Sequence, residues 1–269
     1  HAVLSAHVST RQFELRPHHE KVVALTGAGL SAAAGLATFR GPGGIWDENP
    51  DLEAAMDVDR LPGNLPILWR VWGSVFEKAL VAGPTPGHRA LAALEATILT
   101  QNVDGLHQFA GSHDVTELHG SAAEAVCLNH ACPWRAHLAV QLDHSRDASE
   151  PEHYGIPRTC PECGSRTRPD IVIFGEMLPE GVLEYAEHAA RHCDVFLAVG
   201  TSNTVAPASL LAPLARASGA VTVCIDPYAD SARLAGVFDY VVREDAHAVL
   251  ARWAEHGVRE KRNPFLDPF

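Results

Sequence analysis

Short apolar runs, most of them containing β-branched residues, recur along the chain between more polar segments. The first is Val22-Val23-Ala24-Leu25-Thr26, which leads into a glycine turn and an Ala-rich stretch at residues 31–37, a pattern typical of strand, turn and helix. Similar runs follow at residues 97–99, 115–118, 171–174, 195–199, 221–225 and 240–242. Helix-like segments separate several of them, at residues 87–94, 181–192 and 206–217. This alternation predicts an α/β fold with a parallel sheet covered by helices on both faces.

Two stretches depart from this alternation. Residues from about 46 to 83 have a mostly helical pattern, and residues from about 127 to 168 are rich in Cys, His, Pro and charge and poor in core-forming residues. We interpret both as inserts that form a smaller module, with residues 47–83 as its helical part and residues 126–169 as its metal-binding part. The sheet domain then comprises residues 15–46, 84–125 and 170–257, and we expect the polar tail after Val258 to be loosely held.

Composition and charge limit the possible partners. Of the 269 residues, 46% are apolar and 20% are charged, which is ordinary for a soluble globular protein. No apolar run approaches the ~20 residues that span a bilayer, and no secretory signal is visible, so we expect a cytoplasmic protein without membrane contact. The net charge is −12, and an acid interrupts the nearest basic cluster, Arg259-Glu260-Lys261-Arg262. This argues against nucleic acid as the main ligand.

Four of the six cysteines form two closely spaced pairs, Cys127/Cys132 and Cys160/Cys163. Two short thiolate loops are typical of a tetrahedral Zn²⁺ site, and four cysteines leave no position for a substrate. We therefore predict one structural zinc, which would explain how a segment with little core of its own folds. His130 lies within the first pair and could compete as a ligand; the alternative to a metal site is four free thiols in loops.

The glycine turn after the first strand, Gly27-Ala28-Gly29, permits close approach of the backbone to a pyrophosphate. Ser31 could add a hydroxyl donor, and Ala32 satisfies the last position of the relaxed dinucleotide fingerprint. Alone this signal is weak, because a tight turn in any α/β protein can have the same sequence. Further on, Phe39 and Arg40 lie in a Gly-rich loop, where they could cover a ligand and pair with phosphate, or else form a self-packed loop.

Polar residues also follow later strands. Gln101, Asn102 and Asp104 come after the run at residues 97–99, and His119 with Gly120 closes the run at residues 115–118. The carboxyl ends of parallel strands face the ligand crevice of α/β folds, and a histidine there can act as a general base. The alternative for Asn102 or Asp104 is a cap on the next helix.

Three further segments carry candidate contacts. Gly200-Thr201-Ser202 follows the run at residues 195–199, and Asp226 follows the run at residues 221–225; each could bind phosphate or ribose, or else only cap a helix or form a turn. The run at residues 171–174 leads into Gly175-Glu176 and could pair with an extended peptide, although an ordinary buried strand has the same pattern.

Taken in order, these motifs resemble the sirtuin family. The resemblance rests on Gly27-Ala28-Gly29-Leu30-Ser31, Phe39-Arg40-Gly41, Gln101-Asn102-Val103-Asp104, Leu118-His119-Gly120, the two Cys pairs, Phe174-Gly175-Glu176 and Gly200-Thr201-Ser202. The motifs run from about Val22 to Leu250, which is nearly the whole chain. The resemblance implies a Rossmann-like NAD domain with a smaller inserted zinc-binding and helical module, and an NAD-dependent protein-lysine deacylase that transfers the acyl group to ADP-ribose and releases nicotinamide.

The resemblance also implies roles for individual residues. His119 would be the general base, with Asn102 beside it at the reaction centre. The cofactor contacts would be Gly27, Ala28, Gly29, Ser31, Thr38, Phe39, Arg40, Gln101, Asn102, Asp104, Gly200, Thr201, Ser202, Asp226 and Ala246. The peptide contacts would be Val172, Phe174, Gly175 and Glu176. The partner would be an acyl-lysine protein or peptide, and we expect a monomer.

This sequence departs from the family pattern in places that bear on the acyl group. Sirtuins that prefer succinyl or malonyl lysine have a Tyr and, three residues later, an Arg in the helical module, whereas this chain has Trp72 and Val75 near those positions. A neutral acyl group, acetyl first, is therefore the expectation, although Arg70 lies nearby and Thr38 resembles the desuccinylase branch. The remaining alternatives are an ADP-ribosyltransferase or NAD hydrolase on the same scaffold, and a non-catalytic NAD-binding regulator.

Overall fold

The computed structural model describes residues 12–40 and 43–261. Gly41 and Pro42 in the predicted loop, and Arg262 with the rest of the tail, lie outside the described residues. The strands are β1 Val22–Thr26, β2 Thr97–Thr100, β3 Val115–Glu117, β4 Gly120–Cys127, β5 Arg135–His137, β6 Thr167–Ile171, β7 Val195–Val199, β8 Val221–Ile225 and β9 Tyr240–Val242. The helices are α1 Ala28–Ser31, α2 Ile45–Glu48, α3 Pro50–Ala55, α4 Leu65–Ala82, α5 Pro86–Ala93, α6 Leu106–Phe109, α7 Val182–Arg191, α8 Leu211–Ala217, α9 Ser231–Leu234 and α10 Ala246–Lys261.

Six strands form the predicted parallel sheet, in the order β3-β2-β1-β7-β8-β9. The direction of the side chains alternates along each strand, so successive residues enter different cores. In β1, Ala24 contacts the apolar cluster that α5 and α10 complete, and Leu25 contacts the cluster that α7 and α8 complete. All five residues of β1 are buried, which explains why the sequence shows a continuous apolar run there. The α/β fold class is confirmed.

The smaller module is built on a second sheet, in the order β5-β4-β6, whose pairs are antiparallel. Helix α4 packs against it through Leu68, Trp69 and other buried residues of its apolar face. The cysteine-rich segment, expected to have little core of its own, shares one with α4, because Leu138, Tyr154 and Ile156 are buried in the same cluster as that helix. The segment therefore completes the hydrophobic core that begins on the helix.

Three predicted elements differ from those observed. The run at residues 171–174 does not join the parallel sheet: β6 ends at Ile171 in the small sheet, and Phe174 forms only a bridge with Asp57. The Ala-rich helix begins earlier and is one turn long, followed by a 3₁₀ turn at Ala32–Ala34 that Gly35 ends with a φ of 84°. Helix α10 continues to Lys261, three residues into the stretch that the sequence assigned to the tail. No helix within the described ranges is long and apolar enough to cross a bilayer.

Candidate active site

A cleft of about 1080 Å³ opens where β1, β2, β7 and β8 end and β6 approaches the large sheet. Eighteen of the proposed catalytic, cofactor and peptide contacts line it, although they come from segments far apart in the chain. They are Gly27, Ala28, Gly29, Thr38, Phe39, Arg40, Gln101, Asn102, His119, Val172, Phe174, Gly175, Glu176, Gly200, Thr201, Ser202, Asp226 and Ala246. Because parallel strands point the same way, segments that follow them collect at one edge of the sheet.

The floor of the cleft is a close contact between two glycine turns. The N–H of Gly29 donates to the carbonyl of Gly200 at 2.9 Å, and Gly200 has a φ of 63°. A Cβ on Gly27 would lie 2.6 Å from that carbonyl oxygen, and a Cβ on Gly200 would lie 2.3 Å from the nitrogen of Leu30. Both positions therefore require glycine for space, and Gly200 also requires it for its backbone angle.

The glycine turn offers fewer free amides than a long helix would. Helix α1 has only four residues, and the N–H groups of Gly27, Gly29 and Leu30 already donate to backbone carbonyls. A one-turn helix has a weak dipole, so the expected help from a following helix is smaller than the sequence suggested. The close approach of the backbone remains the main property of this turn.

Asn102 is buried beside the glycine turn. Its side-chain Nδ2 donates to the carbonyl of Gly27 at 2.9 Å, and its backbone N–H donates to Thr100 Oγ1 at 3.0 Å. Gln101 is fixed next to it, because its Nε2 donates to Thr201 Oγ1 at 2.9 Å. The two amide side chains thus connect the end of β2 to the ends of β1 and β7.

His119 lies between β3 and β4 with one ring nitrogen fixed. Its Nδ1 lies 3.3 Å from the backbone carbonyl oxygen of Gln101, which can only accept a hydrogen bond. Nδ1 therefore has the proton in the neutral ring, and Nε2 has the free electron pair that a general base needs. Burial lowers the pKa of His119, more than the bond to Gln101 raises it. The ring is thus neutral at a pH where free imidazole is already partly protonated.

Ser31 and Asp104 do not line the main cleft. They line an adjoining cavity of about 280 Å³ that also touches Ala28, Phe39 and Asn102. Ser31 Oγ donates to Asp104 Oδ2 at 2.7 Å, and Asp104 Oδ1 accepts from the N–H of Leu106 at 3.0 Å. Asp104 therefore holds the turn that precedes α6, but the N-cap residue of α6 is Gly105, so Asp104 is not the helix cap weighed as an alternative. Ser31 joins Asp104 to Asn102.

Aromatic rings form one wall of the cleft. Phe39 lies with its ring centroid 5.2 Å from Trp46 and 5.6 Å from Trp72. Arg40, next in the chain, forms an ion pair with Glu53 at 2.6 Å, so its charge is already neutralised at the cleft rim. The wall is therefore apolar.

The segment after β6 is fixed on one side by backbone bonds. The N–H of Val172 donates to the His119 carbonyl, and the N–H of Phe174 donates to the Met56 carbonyl, both at 2.9 Å. Glu176 does not offer a free charge, because its carboxylate pairs with the buried guanidinium of Arg168. Sequence reasoning missed Arg168, which gave no signal of its own in a stretch with several charges.

The opposite end of the cleft has residues that the sequence did not suggest. Arg233 donates from Nη2 to the Ser202 carbonyl at 2.8 Å, and Tyr228 lies in the turn after Asp226, whose Oδ1 accepts the Tyr228 N–H. His247 adjoins Ala246 in α10 and lines the cleft. A signal was available for Tyr228 and His247, since each lies within two residues of a predicted contact.

The four paired cysteines meet at one point of the small module. Their Sγ atoms all lie within 4.8 Å of one another, with Cys127 to Cys163 at 3.4 Å and Cys132 to Cys160 at 3.7 Å. Four sulfurs around a tetrahedral Zn²⁺ with bonds of about 2.3 Å would have similar spacings. The exposed His130 is not part of the group. The four thiolates fit a closed structural zinc site.

Known proteins resemble this chain over most of its length. The family model described as Sir2 family matches residues 27–207. The NAD-dependent protein deacetylase 1 of Pyrobaculum aerophilum is 40% identical over 86% of this chain and 87% of its own length. An NAD-dependent protein deacylase of Thermus thermophilus is 42% identical over 77% of this chain and 79% of its own.

Solved structures show the same likeness in three dimensions. A Sir2 homologue–NAD complex has a TM-score of 0.76 and 33% identity, covering 91% of each chain. A Sir2–p53 peptide–NAD⁺ complex has a TM-score of 0.71 and 29% identity, covering 88% of this chain and 93% of the other. With a family model that matches most of its length and relatives above 30% identity over most of theirs, the chain belongs to the Sir2 family.

Proposed function

We propose that this protein is an NAD-dependent protein-lysine deacylase that acts first on acetyl-lysine and uses His119 as its general base. The observation that carries the proposal is the position of His119, whose Nδ1 lies 3.3 Å from the Gln101 carbonyl oxygen in the same cleft as the glycine turn. The curated relatives are named as NAD-dependent deacetylases and deacylases. A Sir2 structure with both a peptide and NAD⁺ supports a peptide partner.

NAD would supply a ribose carbon open to attack by the acyl oxygen, and a nicotinamide group that can leave. His119 Nε2 would then take the proton from a ribose hydroxyl, so that this oxygen attacks the acyl carbon. Phe39 would shield the reacting centre from water. Asn102, Gln101 and the turn at residues 200–202 would orient the ribose and phosphate groups, since their donors and acceptors face one cleft. The lysine amine would then leave, and one water molecule would supply the oxygen that completes O-acyl-ADP-ribose. The acyl group would thus end on ADP-ribose, which would make the enzyme a transferase.

The acyl-lysine peptide would lie along the segment that follows β6. Val172, Phe174 and Gly175 line the cleft, and the Phe174 ring is 40% exposed at its rim. In this proposal Glu176 does not contact the peptide through its charge. It fixes the segment instead, because Arg168 pairs with its carboxylate and Glu176 Oε2 accepts the N–H of Ile173 at 2.9 Å.

The acyl site supports a neutral group. Trp72 lines the main cleft, but Val75 and Arg70 line the adjoining cavity, and Arg70 pairs with Asp147. Arg40, the cation on the aromatic wall, is paired with Glu53. A dicarboxylic acyl group would thus meet aromatic rings, and both Arg40 and Arg70 already have carboxylate partners.

Comparison of acetyl- and succinyl-lysine peptides of one sequence tests this preference. We expect kcat/KM to favour acetyl at least tenfold in the wild type. The double variant Trp72→Tyr, Val75→Arg should raise succinyl turnover. Val81→Arg, which adds the same charge at an exposed position of α4, should not. A wild-type preference for succinyl would overturn the proposed acyl class.

Mass spectrometry of the products tests the reaction itself. With NAD and an acetylated peptide, we expect free lysine peptide, nicotinamide and O-acetyl-ADP-ribose in equal amounts. His119→Ala should lower product formation by at least a hundredfold, whereas His113→Ala, at an exposed loop position, should leave it unchanged. Equal NAD consumption with and without peptide would favour an NAD hydrolase.

The domain bounds given above, a monomeric state and a cytoplasmic location are further parts of this proposal. Light scattering after gel filtration measures the oligomeric state directly. A fluorescent fusion at the chain's natural expression level reports the compartment. Neither result bears on the chemistry of the cleft.

A further inference from the structure

Two histidines are buried beneath the cleft without lining it. His88 in α5 is 0% exposed and His107 in α6 is 1% exposed, and their rings meet edge to face with centroids 4.7 Å apart. Burial is the main cause that lowers the pKa of His88 to about 3 and of His107 to about 4, with His107 and His247 adding to the effect on His88. Both rings are therefore neutral at physiological pH, and each has one N–H and one acceptor nitrogen.

The position of the proton on His88 follows from its neighbours. The backbone N–H of Thr85 donates to Nδ1 at 3.1 Å, so Nδ1 is the acceptor and Nε2 has the proton. Nε2 lies 3.4 Å from Ser31 Oγ, which in turn donates to Asp104 Oδ2 at 2.7 Å. Asn102 Nδ2 also lies 3.4 Å from Ser31 Oγ. A chain of hydrogen bonds thus runs from α5 to the Asn102 side chain.

His107 begins a second chain that reaches the same residue. Its Nε2 lies 2.8 Å from Thr26 Oγ1, which donates to Thr100 Oγ1 at 2.8 Å. Since that hydroxyl proton is used, Nε2 donates to Thr26. Thr100 Oγ1 accepts the backbone N–H of Asn102. The other nitrogen of His107, Nδ1, is buried and has no hydrogen-bond partner in the described structure.

We propose that His88 and His107 are positioning residues for the reaction: through Ser31 and through the Thr26–Thr100 pair, they fix the side chain and the backbone of Asn102. The proposal rests on the proposed function for its kinetic consequence, but the geometry it describes is a property of the free protein. Neither histidine contacts the cleft, so each acts only through the hydroxyl that it orients.

A purely structural reading of His88 exists and makes a different prediction. Thr85 and His88 form reciprocal hydrogen bonds at the start of α5, in which His88 takes the place usual for Glu or Gln in a capping box. Under that reading only Nδ1 matters. Under the positioning proposal, activity depends on Nε2, and stability depends on Nδ1.

Two substitutions at His88 test the roles of Nδ1 and Nε2 separately. The Oδ1 of Asn can occupy the place of Nδ1 and keep the cap, but Asn cannot reach Ser31. The amide nitrogen of Gln can occupy the place of Nε2 and reach Ser31, but Gln loses the cap geometry. We expect His88→Asn to lower kcat at least tenfold with little change in Tm, and with the KM for NAD altered less than threefold. His88→Gln should lower Tm and keep kcat within about threefold.

His107 provides the matched pair. Its Nδ1 has no hydrogen-bond partner among the described residues, so His107→Gln should keep both kcat and Tm close to the wild type, whereas His107→Asn should lower kcat at least tenfold. If activity instead follows Tm across the four variants, or if His88→Asn retains wild-type kcat, the proposal is wrong.

A spectroscopic measurement keeps this result separate from the fate of the proposed function. The ¹⁵N side-chain amide signal of Asn102, assigned by its loss in Asn102→Asp, reports the hydrogen bond to Gly27 in the free protein. We expect it to shift or broaden in both Asn variants and to remain in both Gln variants. An unchanged signal in all four would overturn the positioning proposal even if the protein is a deacylase. A wild type without deacylase activity would overturn the function alone.

Discussion

The large sheet and the small module reach a folded core by different means. In the large sheet, the central strands β1 and β7 are apolar runs that are buried on both faces. They pair in register although they are distant in the chain, for example Val22 with Val195. In the small module, short strands of mixed polarity depend on α4 for apolar cover and on four cysteines at one end. Hydrophobic burial and the hydrogen bonds between strands stabilise the first, whereas the second combines a core shared with α4 and a metal site.

Removal of the metal should separate the two regions most strongly. Cys160→Ser removes one ligand of the zinc site. In zinc-finger peptides, structural Zn²⁺ has an apparent binding free energy of about 10–16 kcal/mol. We expect loss of bound zinc, loss of activity, and fast amide exchange in residues 127–168, with β1, β7 and β8 still protected. Zinc analysis and hydrogen exchange measure both effects.

Cys193→Ser is the matched control, because Cys193 lies outside the metal group and packs against the large-sheet core. It should keep its zinc. Equal loss of protection in both regions after Cys160→Ser would contradict the distinction drawn between them.

Substitution of glycine by alanine should change the free energy of unfolding in opposite directions at two positions, one in each region. Gly73 in α4 faces the Tyr154 ring, and an added Cβ would lie 2.0 Å from Tyr154 Cζ. Gly257 in α10 has ordinary space, with Leu94 Cδ2 at 3.5 Å. Gly73→Ala should destabilise the protein by about 1–3 kcal/mol through overpacking. Gly257→Ala should stabilise it by about 0.5–1 kcal/mol, because alanine restricts the unfolded chain.

Denaturant unfolding followed by tryptophan fluorescence measures both changes. Trp69 stacks on Tyr154 in the small module and Trp253 is buried under the large sheet, so the signal covers both regions. A stabilising Gly73→Ala would show that the contact between α4 and Tyr154 is looser than the structure describes.

The last expected effect concerns the pH dependence of stability and belongs to the large sheet. His107 has a pKa of about 4 in the folded state and about 6.5 in the unfolded chain, so below pH 6.5 the unfolded state binds the extra proton. Its contribution is present above pH 6.5 and is lost as the pH falls towards 4, at about 1.4 kcal/mol per pH unit. His107→Gln should flatten the dependence of the unfolding free energy on pH by that amount.

Only the difference between variant and wild type is informative here. Glu117 has a pKa raised to about 7, mainly by burial, so its protonated form stabilises the folded state at low pH and opposes the histidine effect. Adding His88→Gln should flatten the curve further, since the pKa of His88 is about 3. Parallel curves for the wild type and His107→Gln between pH 5 and 7 would contradict the burial of this ring.

The sequence predicted the central strands closely, for a physical reason. β1, β7, β8 and β9 have the predicted bounds, and in β1 and β7 burial on both faces leaves an uninterrupted apolar run. β4 was not predicted, because its residues Gly120–Cys127 are mostly small and form no apolar run. Contact with α4 buries them instead. The strand expected at residues 171–174 does not join the large sheet, because these apolar residues line the cleft instead.

The residues of the candidate site likewise divide into those that the sequence predicted and those that it did not. Residues directly after strands were found because topology alone gathers them at one edge. His88 and Arg168 were not found, since each acts on a residue that the sequence gives no reason to pair with it. Ser31 is 57 positions from His88 in the chain, and only the packing of α5 on the glycine turn brings them together.

The contact between the two glycine turns limits how this protein can change over time. Gly27 and Gly29 press on the backbone of Gly200, and Gly200 presses back on Leu30. A larger residue at any one of these positions would collide with backbone atoms. A second substitution elsewhere cannot relieve this collision, because it changes only a side chain. Neither natural evolution nor a mutant library can therefore replace these glycines one at a time. A change of substrate specificity has to come from other residues that line the cleft, such as Trp46, Trp72 and Tyr228.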